Sequence, residues 1–425
     1  MSVAEIAEQE TERDRVTAEL GDGWEADYAP GSAGCHELLD RVSMLAEMVD
    51  RYLVSHPACI ARPKWLTLAA ATSTSLQDLY QIVGGSISIP TSPKPNDRNM
   101  NLFTDPGSDA ARRAFALKPR ALVDKIMSVA EAVSRFIPDG SYFCSGGFGV
   151  NRIPTAILHE ILRQKKQNLG FAGHTATHDF ELLCAGNLTG RGQTLAKVDI
   201  SYVVGLEARG LSPHARRVLQ SGTVETVEWS NYALALRFTA ASMGVPFVPT
   251  RSMLGTDTFE YSPAKRIDCP FTGEKLVAVP ALYPDVAAIH VHEADRFGNC
   301  RFRGTSVADI ELARAAKRLI ITCERLVPHE AMRRDPHSTQ IPFLCVDAVC
   351  EVPYGSYPGN MPGEYSSDED HLRQWLKAEQ DPAVFETFLN DHIHGVPDFT
   401  DYLERCGGMK RMQTLRQREV LMGDG

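Results

Sequence analysis

One stretch of the chain combines residue types that suit an anionic ligand: Asp139-Gly-Ser-Tyr-Phe-Cys-Ser-Gly146-Gly147-Phe148-Gly149-Val-Asn-Arg152-Ile-Pro154. A short strand is expected to run into consecutive glycines and then into a helix that starts at Pro154, a natural first-turn position. Glycine lets a ligand approach the backbone, and N–H groups at a helix start favour negative charge. The order is not that of a dinucleotide-binding loop. Gly147-Phe-Gly149 supplies two glycines of G-x-G-x-x-G, but Arg152 stands at the third position and no convincing acid follows about twenty residues later. A tight turn without a ligand is the plain alternative.

Other reactive residue types form less complete sets. His290-Val-His292-Glu293, with Cys300 nearby, has zinc-ligand chemistry. On a strand, however, the two histidines share a face while Glu293 points away, leaving too few ligands. His174 and His178 lack the intervening glutamate of a zincin helix. Cys345 and Cys350 read as small hydrophobes on a buried strand, Cys144 has no identifiable base, and no G-x-S-x-G elbow occurs. No metal and no permanently bound cofactor is expected. Ser230-Asn231 stands at a helix start, where either residue is a routine cap. Thr250-Arg251 and Gly255-Thr256-Asp257 occupy a loop beyond the carboxyl end of a strand, where ligands gather in open α/β sheets.

The elements that must position these residues follow from hydropathy patterning. Short apolar runs at Ser141–Ser145, Asn168–Gly173, Lys197–Val204, Val224–Glu228, Lys275–Val279, Val286–Val291, Leu319–Cys323 and Cys345–Val352 read as strands. Helices are expected at Leu122–Ile137, Pro154–Gln164, Tyr232–Met243 and Val307–Ala316. Continuous apolar strands alternating with helices predict an α/β fold: an open, mostly parallel sheet with helices on both faces. Upstream, His36–Val54 carries an apolar stripe at helical spacing, and Trp65–Val83 reads as a second helix stopping at Gly84-Gly85. The segment through Tyr28 is acidic and reads as a tail or solvated helix. The Pro-rich stretch Ile89–Ala110 reads as linker or long loop. The expected organisation is a helical N-terminal extension over residues 1–115, an α/β domain over 116–365, and a helical segment over 366–425 packed on that domain.

Composition narrows the function. The chain has 425 residues, 43% hydrophobic and 23% charged, with a formal charge of −10. That argues for a globular protein and against nucleic-acid or anionic-membrane partners. No apolar run reaches the roughly 18 residues of a spanning helix. The acidic N-terminus is unlike a targeting peptide, and ten scattered cysteines fit reduced thiols. The expected setting is cytoplasmic.

The glycine stretch, from Asp139-Gly140 through Gly146-Gly147-Phe148 to Arg152-x-Pro154, resembles the Gly-Gly-Phe signature of family I CoA-transferases, on their α subunit. Further motifs follow in register: Ser201-Tyr202-Val203 with Glu207 and Gly210-Leu211-Ser212-Pro213; Glu228-Trp229-Ser230-Asn231; Gly244-Val245-Pro246-Phe247-Val248-Pro249-Thr250-Arg251; and Leu254-Gly255-Thr256-Asp257. Pro284-Asp285-Val286, Ala294-Asp295-Arg296-Phe297-Gly298-Asn299, Val346-Asp347-Ala348-Val349 and Pro353-Tyr354-Gly355 complete the set. Together they are similar to the glutaconate CoA-transferase α-subunit type over about residues 120–365.

This resemblance implies transfer of CoA between an acyl-CoA and a free carboxylic acid, with coenzyme A as substrate. It implies a glutamyl-CoA intermediate on a partner β subunit in a hetero-oligomer, and no catalytic nucleophile in this chain. This chain would wall the cleft and exclude water from a labile anhydride. The implied substrate- or CoA-binding residues are Gly146, Gly147, Phe148, Arg152, Ser230, Asn231, Thr250, Arg251 and Gly255. Backbone N–H groups of Gly146–Phe148 would face a carboxylate or thioester oxygen, and Arg152 would pair with a carboxylate or phosphate. Related ring-opening CoA-ester hydrolases place a glutamate about where Asn231 stands. An amide has no titratable carboxylate, so transfer is favoured. A non-catalytic scaffold subunit is the third reading.

Overall fold

The structure, a computed structural model, describes residues 11, 13–19, 21–29, 32–86, 102–188, 192–202 and 210–423. The chain divides into two compact units, residues 1–98 and 99–425. The boundary expected near residue 115 therefore falls inside the second unit, where Ser108–Ala116 forms a helix. Most of the expected Pro-rich linker lies outside the described residues, as do Val203–Glu207 of the motif set.

In the first unit, Ser32 caps the helix Ala33–Val49 by accepting the Cys35 N–H at 3.2 Å. The helix Pro63–Ser86 packs beside it and runs through Gly84-Gly85 instead of stopping there. Two helices alone can hide little of their apolar stripes: Val42 and Ala69 are buried while Met44, Met48, Trp65 and Leu68 stay exposed.

The second unit contains two sheets. In chain order its strands are β1 (Tyr142–Ser145), β2 (Leu169–Gly173), β3 (Leu195–Ile200), β4 (Glu225–Glu228), β5 (Phe247–Thr250), β6 (Lys265–Asp268), β7 (Lys275–Pro280), β8 (Val286–Ala294), β9 (Cys300–Arg301), β10 (Arg318–Leu326) and β11 (Ala348–Glu351). The larger sheet has eight strands in the order β11-β10-β8-β1-β2-β3-β4, all parallel, with the short β9 antiparallel on β8. Period-two alternation explains the layers. Phe143 joins the core under one face, with Phe171 and Phe180, while Tyr142 and Cys144 join the core on the other. The Phe143, Phe171 and Phe180 rings stack at 6.2–6.3 Å. Each such burial contributes about 2–3 kcal/mol.

Strand order sets the site. From β1 the chain steps outward through β2, β3 and β4. It then makes the three-stranded antiparallel sheet of β5, β7 and β6. It returns on the other flank of β1 as β8, then continues to β10 and β11. Successive carboxyl-end loops therefore splay apart between β1 and β8, the crevice where open α/β sheets bind ligands.

Three further expectations change. The helix expected over Leu122–Ile137 covers only Val129–Phe136, because Ser128 caps it by accepting the Glu131 N–H at 3.1 Å. Ahead of that cap the chain is extended, with Ile126 bridged parallel to Val349 and Met127 N–H bonded to the Val349 carbonyl. Lys275–Val279 is a strand, but of the small antiparallel sheet, and Cys345 sits in a 3₁₀ turn ahead of β11. The C-terminal helices, starting at Glu369, cover the first core with Trp375, Phe385 and Tyr402. Among the described residues, no helix is long and apolar enough to cross a membrane.

Candidate active site

The glycine turn leaves β1 at the β1/β8 crevice. Gly147 has φ +94°, and a Cβ there would stand 2.4 Å from the Asn151 carbonyl oxygen, so no side chain fits. Gly146 is closed in by Ile289 and Asp309, whose atoms would lie 2.8 and 2.7 Å from a Cβ. The turn is braced by Asp309. Its Oδ1 accepts the Gly147 N–H at 2.8 Å and its Oδ2 accepts from Arg152 Nη2 at 2.8 Å. Arg152 is fully buried, has φ +56°, stacks on Phe302 at 4.6 Å and also donates to the Thr305 carbonyl.

The roles expected for these residues differ here. Gly146 N–H bonds the Ala288 carbonyl, Gly147 N–H bonds Asp309, and Phe148 N–H bonds the Asn151 carbonyl at 3.0 Å. All three donors are engaged, so the turn does not present them as a free oxyanion site. The carboxylate expected to pair with Arg152 is the protein's own Asp309.

The surface beyond the turn comes from three neighbouring loops. Phe148 stacks on His174 at 5.5 Å, and Thr175, at φ +51°, follows β2. Thr175 Oγ1 lies 3.2 Å from His174 Nδ1 and donates to Asn231 Oδ1 at 3.3 Å. Ser230 caps the helix Asn231–Met243 by accepting the Ala233 N–H at 3.1 Å, and its hydroxyl also stands 3.3 Å from that of Ser252. Ser252 N–H bonds Thr250 Oγ1 at 3.1 Å. Phe148, Ser230, Asn231 and Thr250 are thus linked into one wall. Arg251 is not part of that link: it is largely exposed and paired with Glu274. Gly255, at φ +75°, has open space around it.

The buried carboxylates here are already engaged. Asp179 accepts N–H groups of Thr177 and Phe180 at 2.8 and 3.0 Å and bonds the Ser145 hydroxyl; burial pushes its carboxyl up to about 6. Asp199 takes Trp229 Nε1–H at 2.6 Å and pairs with Arg237 at 2.6 Å. Burial also lowers the His174 pKa, which keeps that ring neutral. The histidines weighed as metal ligands have protein partners. His290 bonds Thr322 and Glu324 at 2.8 and 2.7 Å; His292 bonds the Pro362 carbonyl at 2.8 Å and the Arg303 N–H at 3.1 Å.

As wall or brace residues the sequence reading missed His174, which it weighed only as a metal ligand, and Thr175, Ser252, Asp179 and Asp309. The first three follow β2 and β5, so the carboxyl-end rule that flagged Thr250 could have flagged them as well. Asp309 opens a helix, a position where an acid is ordinary.

Comparison with known proteins decides the family. The sequence profile described as Coenzyme A transferase matches residues 126–352. The chain belongs to the coenzyme A transferase family. It is 32% identical to the A subunit of glutaconate CoA-transferase from Acidaminococcus fermentans over 305 residues, 68% of this chain and 93% of that one. It is 34% identical to the A subunit of 3-oxoadipate CoA-transferase from Pseudomonas knackmussii over 282 residues, 65% and 96% of the respective chains. The crystal structure of glutaconate coenzyme A-transferase from Acidaminococcus fermentans superposes with a TM-score of 0.65 at 30% identity, covering 69% of this chain and 95% of that one. The α/β sheet of this coenzyme A transferase chain is therefore the fold of that enzyme.

Proposed function

We propose that this chain is the A-type half of a two-chain CoA-transferase, exchanging CoA between an acyl-CoA and a free carboxylic acid. The observation that carries this reading is chemical. The crevice has a preformed polar wall, yet the buried carboxylates beside the glycine turn, Asp179 and Asp309, are committed to donors of the protein itself: Ser145, Thr177 and Phe180 for the one, Gly147 and Arg152 for the other. Glu207 lies outside the described residues. The nucleophile is assigned to a glutamate of a B-type partner. Its carboxylate attacks the thioester carbonyl, CoA thiolate leaves and a mixed anhydride forms. The thiolate then attacks the glutamyl carbonyl and releases the first acid, and the same steps run backwards with the acceptor acid.

In this scheme Gly146 and Gly147 let the turn pack tightly against Ile289, Asn151 and Asp309, which sets Phe148 against the acyl group, and Arg152 fixes the turn through Asp309. Ser230 and Asn231 orient the acyl carbonyl, with the Asn231 side-chain amide as donor. Thr250, Arg251 and Gly255 form the outer rim toward CoA. Asn231, an amide, cannot act as the general base that a hydrolase needs.

The test is to co-purify the chain with a B-type partner and supply acyl-CoA with and without acetate. Transfer requires the acceptor, and hydroxylamine trapping followed by mass spectrometry maps the modified glutamate to the partner. CoA release indifferent to acceptor acids would establish hydrolysis instead, and turnover by this chain alone would refute the shared pocket. Asn231→Ala is expected to lower kcat/KM by about 10²-fold, the scale of losing one aligned donor, with the complex intact.

A further inference from the structure

We infer that the C-terminal segment holds a zinc site formed by His371, His392 and Cys406. The three residues come from different elements: the helix Glu369–Ala378, the helical turn Asn390–His394, and the residue following the helix Phe399–Arg405. Their ligand atoms lie within 4.8 Å of one another. Cys406 Sγ stands 3.8 Å from His371 Nδ1. Around tetrahedral zinc, sulfur and nitrogen ligands stand about 3.5 Å apart, so this pair needs little adjustment.

Outer hydrogen bonds orient the lone pairs inward. A carbonyl accepts only from a protonated nitrogen, so His392 Nδ1, 3.0 Å from the Phe388 carbonyl, carries that ring's proton and leaves Nε2 as the free lone pair. His371 Nε2 lies 3.1 Å from the Tyr402 hydroxyl, which leaves Nδ1 toward the sulfur. His371 is buried, its ring held between Tyr402 and Cys406.

Zinc binding replaces the Cys406 S–H bond with an S–Zn bond and releases that proton to solvent, giving a bis-imidazole thiolate site of net charge +1. Two of the ligands are half-buried, and the fourth position goes to water. The site clips together the helices that cover one face of the sheet, independently of the transfer chemistry.

The test uses the full chain without a histidine tag, stripped with chelator and then titrated with zinc or cobalt. About one metal per chain is expected, with the near-ultraviolet thiolate-to-cobalt band of a cysteine ligand. Cys406→Ser and His392→Gln lose metal binding and the band, while Cys269→Ser keeps both. Failure of the wild-type chain to bind either metal, or binding that survives Cys406→Ser, overturns the site. Because the cobalt band is read on the wild-type chain, a variant that fails to fold does not remove the test.

Discussion

The brace behind the glycine turn gives the sharpest prediction. Asp309→Asn keeps an oxygen for the Gly147 N–H but removes the charge opposite Arg152. The Asp309 side chain is 1% exposed and that of Arg152 is 0% exposed, so no water can replace the lost partner. Leaving one member of a buried pair uncompensated costs about 3–5 kcal/mol. In the larger unit, residues 99–425, that lowers the melting temperature by roughly 4–7 °C at about 2.1 cal/mol/K of unfolding entropy per residue. The stacking on Phe302 at 4.6 Å offsets only a part, about 1–2 kcal/mol. Removing the charge of both partners, Arg152→Met with Asp309→Asn, should recover part of the loss, since the new amide keeps an oxygen for the Gly147 N–H and the ring that received the guanidinium also receives a thioether. Urea denaturation of the wild type, both single variants and the double variant reads this as a coupling energy, expected to be about 2 kcal/mol or more. If Asp309→Asn moves stability by less than about 0.5 kcal/mol, the scale of a surface change, the pair does not brace the turn. In that case the account of Arg152 as a positioning residue is wrong.

Two further outcomes follow from the same structure. Gly147→Ala places a Cβ 2.4 Å from the Asn151 carbonyl oxygen at φ +94°; it should cost about 2 kcal/mol or more and abolish transfer with the partner, read by stability and turnover together. Glu379 is buried, bonded by Ser212 at 2.6 Å and Trp375 at 2.7 Å, and burial pushes its carboxyl up to about 8. A folded-state pKa above the unfolded one means the folded chain holds the proton more tightly. The contribution is therefore full below the ordinary glutamate value of 4.5 and is lost as pH rises through about 8. Glu379→Gln, which cannot ionise, should flatten that decline in a stability-versus-pH series; an unchanged slope would place the titration elsewhere.

The sheet was legible because a parallel strand buried on both faces leaves a run of apolar residues that little else explains. Phe143 and Cys144 face opposite cores, so neither could be polar. What misled the reading was local. Leu122–Ile137 has helical spacing throughout, but the hydroxyl of Ser128 stops the helix and Val349 captures the preceding backbone as an extended edge. Lys275–Val279 is as apolar as a central strand, and only its antiparallel pairing with β5 and β6 assigns it to another sheet. Pairing partners are not written in a strand's own residues.

The site divides along the same line. Glycines that must adopt positive φ announce themselves, and the order of the flanking motifs carried the family resemblance that the comparisons bear out. Contacts made across the fold do not announce themselves: Arg152 and Asp309 are 157 residues apart, and each alone resembles an ordinary helix-start residue. Ser230 shows why residue type underdetermines role, for it caps its helix and touches Ser252 with the same hydroxyl. A cap is rigid, and a rigid hydroxyl at the lip of the crevice is what positioning a thioester requires. The cap that Ser230 forms is therefore compatible with the binding role proposed for Ser230-Asn231. In the proposed scheme, a wall built of helix caps and braced by a buried ion pair is completed by a carboxylate from a second chain without rearranging, and such preorganisation would let the anhydride form before water reaches it.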